Sequence, residues 1–337
     1  MNKVLGIGNA LVDVMILLDD DKVLDELNFP KGSMQLVDEN VSNDLIIKFS
    51  HKISSRSSGG SAANTIQGLA SLGIETGYIG KVGHDELGYY FQKELEERNI
   101  KPMIYKSETE TGRVVALVSP DSERTFATYL GAAIELEPNE LHSGLFAGYS
   151  ILHIEGYLVQ NHDLMYKAAN LAKEREMKIS LDLSSFNIVA AEIDFLKPFI
   201  EKYVDIVFAN EEEAKAFTGK DPHKALNELS KLCEIAVVKV GKKGSLVASD
   251  KTSIIIGPVV SKVIDTTGAG DYYASGFLYG LIKNLPLYKC GEIGSLLAGR
   301  VIEEIGAKIS DERWPSIIET VKRIELIGTN KWSGLKA

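Results

Sequence analysis

One short segment of the chain combines glycines with carboxylates in a way that suits phosphate chemistry. It is Asp265-Thr266-Thr267-Gly268-Ala269-Gly270-Asp271, which separates the apolar run Val259–Ile264 from the helical pattern Tyr272–Lys283. We therefore predict a strand, a tight turn and a helix start, with the N–H groups of the Gly-Ala-Gly portion unpaired at the positive end of the helix. Main-chain donors in this arrangement bind a phosphate group.

Asp271 stands where a carboxylate would repel that phosphate unless it had a chemical task. The task that fits is general base catalysis, in which Asp271 accepts the proton of an attacking hydroxyl. The alternative is that Asp271 only complements the helix dipole and the glycines only shape a loop, which is the commoner meaning of an isolated Gly-x-Gly-Asp. The whole seven-residue string is more specific and favours phosphoryl transfer.

Other nucleotide motifs are absent from the sequence. No Gly-x4-Gly-Lys-Ser/Thr occurs, and Gly6-Ile7-Gly8-Asn9-Ala10-Leu11 lacks the third glycine of the dinucleotide fingerprint. A P-loop enzyme and a dehydrogenase are therefore disfavoured.

Charge and composition exclude several classes of partner. The chain has 337 residues and a net charge of −10, so most of its surface should repel nucleic acid and anionic lipid. No apolar run reaches the roughly 18 residues of a membrane span. Cys233 and Cys290 lie far apart in sequence, which suits reduced thiols in the cytoplasm.

Strands and helices alternate along the sequence. Nearly continuous apolar runs predict buried strands, and 3.6-residue patterns predict helices between them. The predicted strands are Val4–Gly8, Tyr78–Val82, Ile151–Ile154, Ile179–Leu183, Val204–Phe208 and Ile235–Val240, and the helices are Ser61–Leu72, Asp85–Arg98, His162–Glu176 and Glu211–Phe217. This order predicts an α/β fold with a mainly parallel sheet flanked by helices.

Two segments, at about 11–40 and 100–130, lack this alternation. The runs Ser33–Val37, Arg113–Ser119 and Arg124–Leu130 follow turn-rich connections there and predict a small second sheet. We interpret it as a lid inserted in a single domain that spans residues 1–337.

Two signatures, in the right order, resemble those of the PfkB or ribokinase family. Asp265–Asp271 is similar to the C-terminal one, and Ser58–Asn64 with Gly80–Gly83 and Asp85 is similar to the N-terminal one. The likeness runs from Gly6 to about Ala307. It implies a ribokinase-like three-layer fold with a mainly parallel central sheet and a small β-sheet lid. It also implies that Asp271 is the base and that Gly268, Ala269 and Gly270 form the anion hole.

Within the family, Gly6–Asp13, Leu181–Ser184 and Tyr203–Ala214 most resemble adenosine kinases. That resemblance implies an acceptor site for a nucleoside. In it the ribose hydroxyls are held by Asp13, Gly59, Gly60 and Asn64, and the base by Asn9 and by stacking on Tyr157. Without the family, Asp13 reads as a loop residue, Asn64 as a polar group on a helix face and Tyr157 as a core residue.

The resemblance also implies a site for ATP and Mg²⁺. Asn210 and Glu213 match an Asn-x-x-Glu motif that orders magnesium and its waters, with Glu213 acting through water; alone, they read as an acidic helix start. The other implied residues of the ATP site are Lys239, Gly241 and Gly244, which border the nucleoside of ATP, and Thr267. A monovalent cation such as K⁺ beside Asp265 and Thr267 is left open.

Arg124 matches an arginine of the lid in this family. A guanidinium there would close over the transferring phosphoryl group and offset its charge. A salt bridge at a strand end is an equally good reading of the residue.

Several residues depart from the adenosine kinase pattern. Ser33 and Gln35 replace larger apolar residues of the base pocket, and Tyr272 and Tyr273 replace a small residue and Phe, which would narrow the acceptor or ATP side. Glu155 is similar instead to a glutamate with which ribokinases hold a sugar hydroxyl.

The sequence thus leaves three functions open: an adenosine kinase, a sugar kinase for ribose, fructose or a related polyol, and a non-catalytic ligand sensor. The expected partners are ATP with a nucleoside or sugar, and the chain is expected to be a monomer or a homodimer.

Overall fold

Most strands predicted from the apolar runs are present in the structure, a computed structural model that describes residues 2–121, 123–249 and 252–326. These residues fall into two units. Lys3–Ala70 and Glu75–Ser184 form the first, and Ser71–Ile74 belongs with the described residues from Ser185 onwards to the second.

The first unit contains a parallel sheet and a smaller sheet. Its strands are β1 Lys3–Ile7, β2 Leu11–Leu17, β3 Met34–Leu36, β4 Ile53–Gly59, β5 Glu75–Gly83, β6 Ile100–Ser107, β7 Gly112–Val118, β8 Arg124–Tyr129, β9 Ile151–Glu155 and β10 Lys178–Asp182. Its helices are α1 Lys22–Leu27, α2 Glu39–Lys48, α3 Ser61–Ser71, α4 Glu86–Glu97 and α5 His162–Glu174.

Five of these strands pair in parallel in the order β10-β9-β1-β5-β6. Val4, Leu5 and Ile7 of β1 are fully buried, as expected of a strand covered on both faces. Parallel strands place their carboxyl ends at one edge of the sheet, so β1 and β9 end side by side. Asn9 and Glu155 come from those two strand ends.

The small sheet has the order β3-β8-β7-β2-β4. One face is buried, with Val12, Val14 and Ile16 of β2 fully covered. The other face is more open and carries Asp13 and Leu17 of β2. Leu17 pairs with Val118, and Val118 pairs with Arg124, so Arg124 lies on this face as well. The sheet therefore presents both predicted site residues on the same side.

The second unit contains the remaining elements. They are α6 Phe186–Ala191, α7 Ile193–Tyr203, β11 Ile206–Asn210, α8 Glu211–Thr218, α9 Pro222–Leu229, β12 Ile235–Lys239, β13 Ser245–Ser249, β14 Thr252–Ile256, α10 Ala269–Ile282, α11 Leu287–Val301 and α12 Trp314–Leu326. β11 and β12 pair in parallel, whereas β13 and β14 add antiparallel strands in the order β14-β13-β12-β11. The predicted fold class, a mainly parallel sheet flanked by helices with a smaller second sheet, is confirmed.

Three local predictions were wrong. Val259–Ile264 is not a strand, because no strand of the described residues pairs with it and Val260 is 94% exposed. Residues 100–107 form β6 of the parallel sheet rather than part of the small sheet. The segment at 11–40 contains a helix, α1, where none was expected.

Asp85 caps α4 and ties it to the loop before β7. Its Oδ1 accepts hydrogen bonds from the N–H of Gly88 (2.7 Å) and the hydroxyl of Thr111 (2.6 Å), and Oδ2 accepts from the N–H of Thr111 (2.6 Å). Burial raises the pKa of Asp85, but the hydrogen bonds from Thr111 and Gly88 together outweigh it, so the pKa lies below its ordinary value. The folded state thus favours the carboxylate.

We expect Asp85→Asn to lower the free energy of unfolding at pH 7 by about 1–2 kcal/mol, since the charge is lost and the amide NH2 that replaces Oδ2 cannot accept the N–H of Thr111. Because the folded pKa is depressed, the contribution is complete above the unfolded value of about 4 and is lost as the pH falls through the folded pKa. Urea unfolding at pH 7 and about pH 2 should therefore show the two proteins converging in acid. Asp38→Asn, which removes a charge but keeps an acceptor for the single exposed cap bond on α2, is the control; an equal loss for Asp85→Asn at both pH values contradicts the prediction.

None of the helices in the described ranges combines the length and apolar character needed to cross a bilayer. Cys233 and Cys290 are both free thiols, and burial raises the pKa of each to about 12.

Candidate active site

The turn between β4 and α3 requires glycine. Gly60 has φ +99°, and a Cβ there would lie 2.1 Å from the carbonyl oxygen of Asn9. No other residue fits this position without moving the main chain. The main chain after β1 is therefore pressed against the start of α3, as the predicted acceptor site requires.

Asp13 lies directly over Gly59. Leu11 of β2 pairs with Gly59 of β4, and a Cβ on Gly59 would lie 2.6 Å from both carboxylate oxygens of Asp13. Asn64, almost fully buried, stands in the first turn of α3 with its N–H bonded to the carbonyl of Gly60 (2.9 Å). The four residues predicted to hold a ribose are thus brought together.

Glu155 connects the chain after β1 to the start of α3 within the first unit. It is 1% exposed, and its oxygens accept hydrogen bonds from the N–H of Asn9 (3.3 Å) and from the N–H of Ala62 (3.0 Å) at the start of α3. A carboxylate is stabilised there by the positive end of the helix. The role that the ribokinase likeness implied for Glu155, holding a sugar hydroxyl, finds both oxygens already used by the main chain.

A cavity of about 550 Å³ opens beside this cluster, within the usual range for small-molecule sites. Its lining residues are Asn9, Ala133, Ile134, Leu136, Tyr157, Leu158, Gln160, Asn161, His162, Asp163 and Leu164. Asn9 and Tyr157 were predicted to contact the base, and both face this space. Ser33 and Gln35 do not line it; they hydrogen-bond to each other at β3 (2.9 Å).

The walls of the cavity are held by polar contacts. The hydroxyl of Ser184 accepts the N–H of Gly156 (3.0 Å), which fixes the short 3₁₀ turn that carries Tyr157. On the other side, the ammonium of Lys81 donates to the carbonyl of Glu135 and to the carboxylate of Glu140, both at 2.9 Å. These bonds fix the chain on either side of the space.

Arg124 stands apart from the acceptor cluster. It starts β8 opposite Val118, which in turn pairs with Leu17, and Leu17 is four residues along β2 from Asp13, or roughly 13 Å. The two residues share a face of the small sheet but stand at different levels along its strands. The role of Arg124 in closing over a phosphoryl group stays a prediction.

The start of α10 in the second unit provides main-chain donors. Gly268 caps the helix with φ +76°, and Ala269 donates its N–H to the carbonyl of Thr266 (3.2 Å). The prediction of three open N–H groups therefore needs correction, because the turn uses one of them. Those of Gly268 and Gly270 have no acceptor in the part of the chain that the structure describes, which leaves two donors for an anion.

Asp265 holds this loop in place. Its Oδ1 accepts the N–H (3.0 Å) and the hydroxyl (2.7 Å) of Thr267, and its Oδ2 accepts the N–H of Gly306 (2.6 Å). A Cβ on Gly268 would meet that of Ala307 at 2.9 Å. Asp265 therefore has a structural role, and no contact among the described residues supports the K⁺ ion that was left open beside it and Thr267.

Asp271 is the third residue of α10 and is partly exposed, so it lies in the first turn rather than at the cap. The next two residues point elsewhere. Tyr272 and Tyr273 are 2% and 4% exposed, and Tyr273 shares a hydrogen bond of 2.6 Å with Ser245. The Tyr273 ring packs against Gly294, where the absence of a Cβ leaves room for it. Both rings thus pack in the core of the second unit, and their effect on the width of a binding site stays a prediction.

Asn210 and Glu213 form a capping box at the start of α8. The carboxylate of Glu213 accepts the main-chain N–H (2.7 Å) and the side-chain amide (2.6 Å) of Asn210, and the side-chain oxygen of Asn210 accepts the N–H of Glu213 (2.8 Å). Glu213 is 3% exposed. Because both carboxylate oxygens already accept hydrogen bonds from Asn210, the pair suits an outer, water-mediated contact with a metal ion better than a direct one.

Lys239 is the register partner of Asn210 at the ends of β12 and β11. Its ammonium reaches the loop Asp265–Gly270 before α10, called here the phosphate loop, because a Cβ on Gly270 would lie 2.9 Å from Nζ. Gly241 and Gly244 belong to the turn that joins β12 to β13, where Val240 donates its N–H to the carbonyl of Gly244 (2.9 Å). Their predicted contact with ATP stays a prediction.

The sequence did not point to several residues that build these sites. Leu136, His162 and Asp163 line the cavity, and Gly306 supports the phosphate loop. The only signal in the sequence was Asn161, a helix cap that placed its neighbours His162 and Asp163 in the first turn of α5.

Comparison with known proteins adds an independent line of evidence. The model of the "pfkB family carbohydrate kinase" matches residues 50–314. A "probable sugar kinase protein" from Rhizobium etli is 32% identical, with a TM-score of 0.86 over 96% of this chain and 99% of that one. Adenosine kinase from Sinorhizobium meliloti is 33% identical, with a TM-score of 0.84 over 95% and 98%. Adenosine kinase from Saccharomyces cerevisiae is 30% identical over 76% of this chain and 80% of its own length.

The family match covers more than half of the chain, and relatives of both substrate types align over most of it. The two family signatures form defined turns in the structure: Asp265–Asp271 leads into α10, and Gly59–Gly60 joins β4 to α3. The chain therefore belongs to the pfkB family of carbohydrate kinases and is a phosphotransferase.

Proposed function

We propose that the protein is an adenosine kinase that converts ATP and adenosine to ADP and AMP, with Asp271 as the catalytic base. The acceptor binds in the first unit, with its ribose against Asp13, Gly59, Gly60 and Asn64. The phosphoryl group is held at the start of α10.

The cavity beside Asn9 is the observation that carries this proposal. A nucleoside needs space for a base next to the residues that hold its ribose, whereas a free sugar does not. The cavity supplies about 550 Å³ against Asn9, whose carbonyl lies beside Gly60, with Tyr157 as an aromatic surface and Asn9 as a polar group.

Glu155 argues in the same direction. A sugar kinase of the ribokinase type would use this glutamate to hold a hydroxyl group. Here the side chain is buried and bound to the N–H groups of Asn9 and Ala62. Because the side chain is 1% exposed, a sugar hydroxyl would reach its oxygens only if the segments around Asn9 and Ala62 moved.

A sugar kinase is the second candidate, and the polar part of the cavity supports it. Gln160, Asn161, His162 and Asp163 supply hydrogen-bonding groups that suit a polyol as well as the edge of a base. The similarity to a sugar kinase at 32% identity points the same way.

In the proposed reaction a carboxylate oxygen of Asp271 accepts the proton of the 5′-hydroxyl. The 5′-oxygen then forms a bond to the γ-phosphorus. The bond between the γ-phosphorus and the β-phosphate oxygen breaks, and ADP leaves with the electron pair. The N–H groups of Gly268 and Gly270 donate hydrogen bonds to the oxygens of the phosphoryl group during its transfer. Magnesium, which arrives with ATP as the substrate Mg·ATP, neutralises phosphate charge; Asn210 and Glu213 would bind its waters.

Both cysteines are unpaired in the structure, which supports a reducing compartment such as the cytoplasm as the place of action.

The test is an ADP-release assay with adenosine, inosine, ribose and fructose. We expect adenosine to give the highest kcat/KM, and Tyr157→Leu to raise the KM for adenosine roughly 5- to 100-fold, the range for loss of base stacking on an aromatic ring. Tyr166→Leu removes a partly exposed tyrosine of α5 that does not line the cavity and serves as the control. A higher kcat/KM for ribose or fructose contradicts the proposal.

A further inference from the structure

Lys239 occupies an unusual place for a lysine that borders a nucleoside. It ends β12, level with Asn210 at the end of β11, and a Cβ on Gly270 would lie 2.9 Å from its Nζ and 3.9 Å from its Cε. The ammonium therefore rests against the main chain of Gly270, whose N–H is one of the two open donors at the start of α10. A single strand end thus carries a full positive charge to the phosphate loop.

Three positive features meet at this point, beside the carboxylate of Asp271 in the first turn of α10. The start of α10 carries the positive end of a helix dipole, two N–H groups point outward, and the ammonium of Lys239 adds a further charge. An anion that enters the loop meets all three at once, which strengthens each interaction. The protein as a whole has a net charge of −10, so a polyphosphate needs such a local concentration of positive charge in order to bind.

We propose that the ammonium of Lys239 binds the terminal phosphoryl group of ATP together with the N–H groups of Gly268 and Gly270. This inference rests on the proposed kinase function and names the group of ATP that Lys239 holds: the phosphoryl group rather than the nucleoside. During transfer Lys239 keeps its three protons. The proton of the acceptor hydroxyl goes to Asp271, and the ammonium offsets the charge on the oxygens of the moving group.

Two neighbouring lysines provide matched controls. Lys242 and Lys243 lie in the short 3₁₀ turn Gly241–Lys243 and are exposed to solvent. They carry the same charge three and four residues away, without a contact to Gly270. A loss of general attraction for anions would follow from removing any of the three, whereas a contact with the phosphoryl group belongs to Lys239 alone.

The test measures nucleotide binding without any acceptor, so its result does not depend on adenosine being the substrate. Calorimetric titration compares magnesium ADP with the magnesium complex of a non-hydrolysable ATP analogue. We expect Lys239→Met to weaken binding of the ATP analogue about 10- to 100-fold, the effect of losing one charged hydrogen bond, and to weaken ADP binding clearly less. Lys243→Met should change neither affinity by more than about twofold, because an exposed charge contributes little.

Lys239→Arg keeps the charge and should recover part of the affinity, which separates loss of the contact from misfolding; thermal melts of each variant check the fold. If Lys239→Met binds the ATP analogue as tightly as Lys243→Met does, the assignment is overturned. An equal loss for ADP and the analogue overturns it as well, since the ammonium would then hold the β-phosphate. A failed acceptor assay with intact nucleotide data would refute the adenosine proposal only.

Discussion

Asp271→Asn should lower kcat for phosphoryl transfer by about 10²- to 10⁴-fold, the usual contribution of a general base. Asparagine has nearly the shape of aspartate but cannot accept the proton of the acceptor hydroxyl. The main-chain donors of Gly268 and Gly270 remain, so affinity for Mg·ATP should stay within about threefold or increase, because the carboxylate that repels phosphate is gone. Stopped-assay ADP release and calorimetric binding measure the two quantities.

Glu212→Gln is the matched control for this variant. It also removes one carboxylate from the first turn of a helix, but Glu212 is exposed on α8 and its side chain has no part in the capping box. We expect kcat within about twofold of the original, in keeping with an exposed charge. Turnover by Asp271→Asn at the level of Glu212→Gln would refute the role of the base in any acceptor's reaction.

Gly60→Ala should both destabilise the protein and impair acceptor binding. The positive φ and the 2.1 Å approach of a Cβ to the carbonyl of Asn9 force the main chain apart. We expect a loss of about 2–4 kcal/mol in the free energy of unfolding, from strain and displacement together. The KM for the acceptor should rise at least about tenfold, since the shift moves Asn9 and Gly59 away from each other. The KM for ATP should change little.

Gly73→Ala separates these two causes. Gly73 also has a positive φ, +82°, but a Cβ there meets nothing within 4 Å. It should therefore cost only the strain of a left-handed alanine, about 1–2 kcal/mol, with no change in the KM for the acceptor. Equal effects of the two substitutions, in urea unfolding and in steady-state kinetics, would show that the turn at Gly60 does not shape the acceptor site.

The sequence predicted the central strands well because their signal is local. Ile151–Ile154 and Ile235–Val240 are mainly apolar, and each became a buried strand within two residues of the expected bounds. Val259–Ile264 has the same composition but no partner strand, and pairing partners are not a property of one run. The opposite error concerns β4, whose Ile53–Gly59 segment is rich in serine and was not predicted, although it pairs with β2 along its length.

Residue roles were predictable where a local turn determines them. They were not predictable where residues far apart in sequence come into contact. The glycines at 59, 60 and 268 stand where the signatures placed them. Glu155 differs, because its partners Asn9 and Ala62 are 146 and 93 residues away in sequence. The use of its oxygens by main-chain donors could be learned only from the fold. Lys239 is similar, because its contact with Gly270 joins the end of one strand to the start of a later helix.

The support that Asp265 receives from Gly306 has a consequence for how the protein is made. Asp265 and Asp271 leave the ribosome some forty residues before Gly306 does, so the loop emerges without the N–H that fixes its second oxygen. Until residues 306 and 307 have emerged, the nascent chain has the proposed catalytic carboxylate but not the bond that holds the proposed phosphate-binding turn rigid. Newly synthesised protein should therefore gain nucleotide affinity late, and ATP cannot assist the folding of the strands translated earlier.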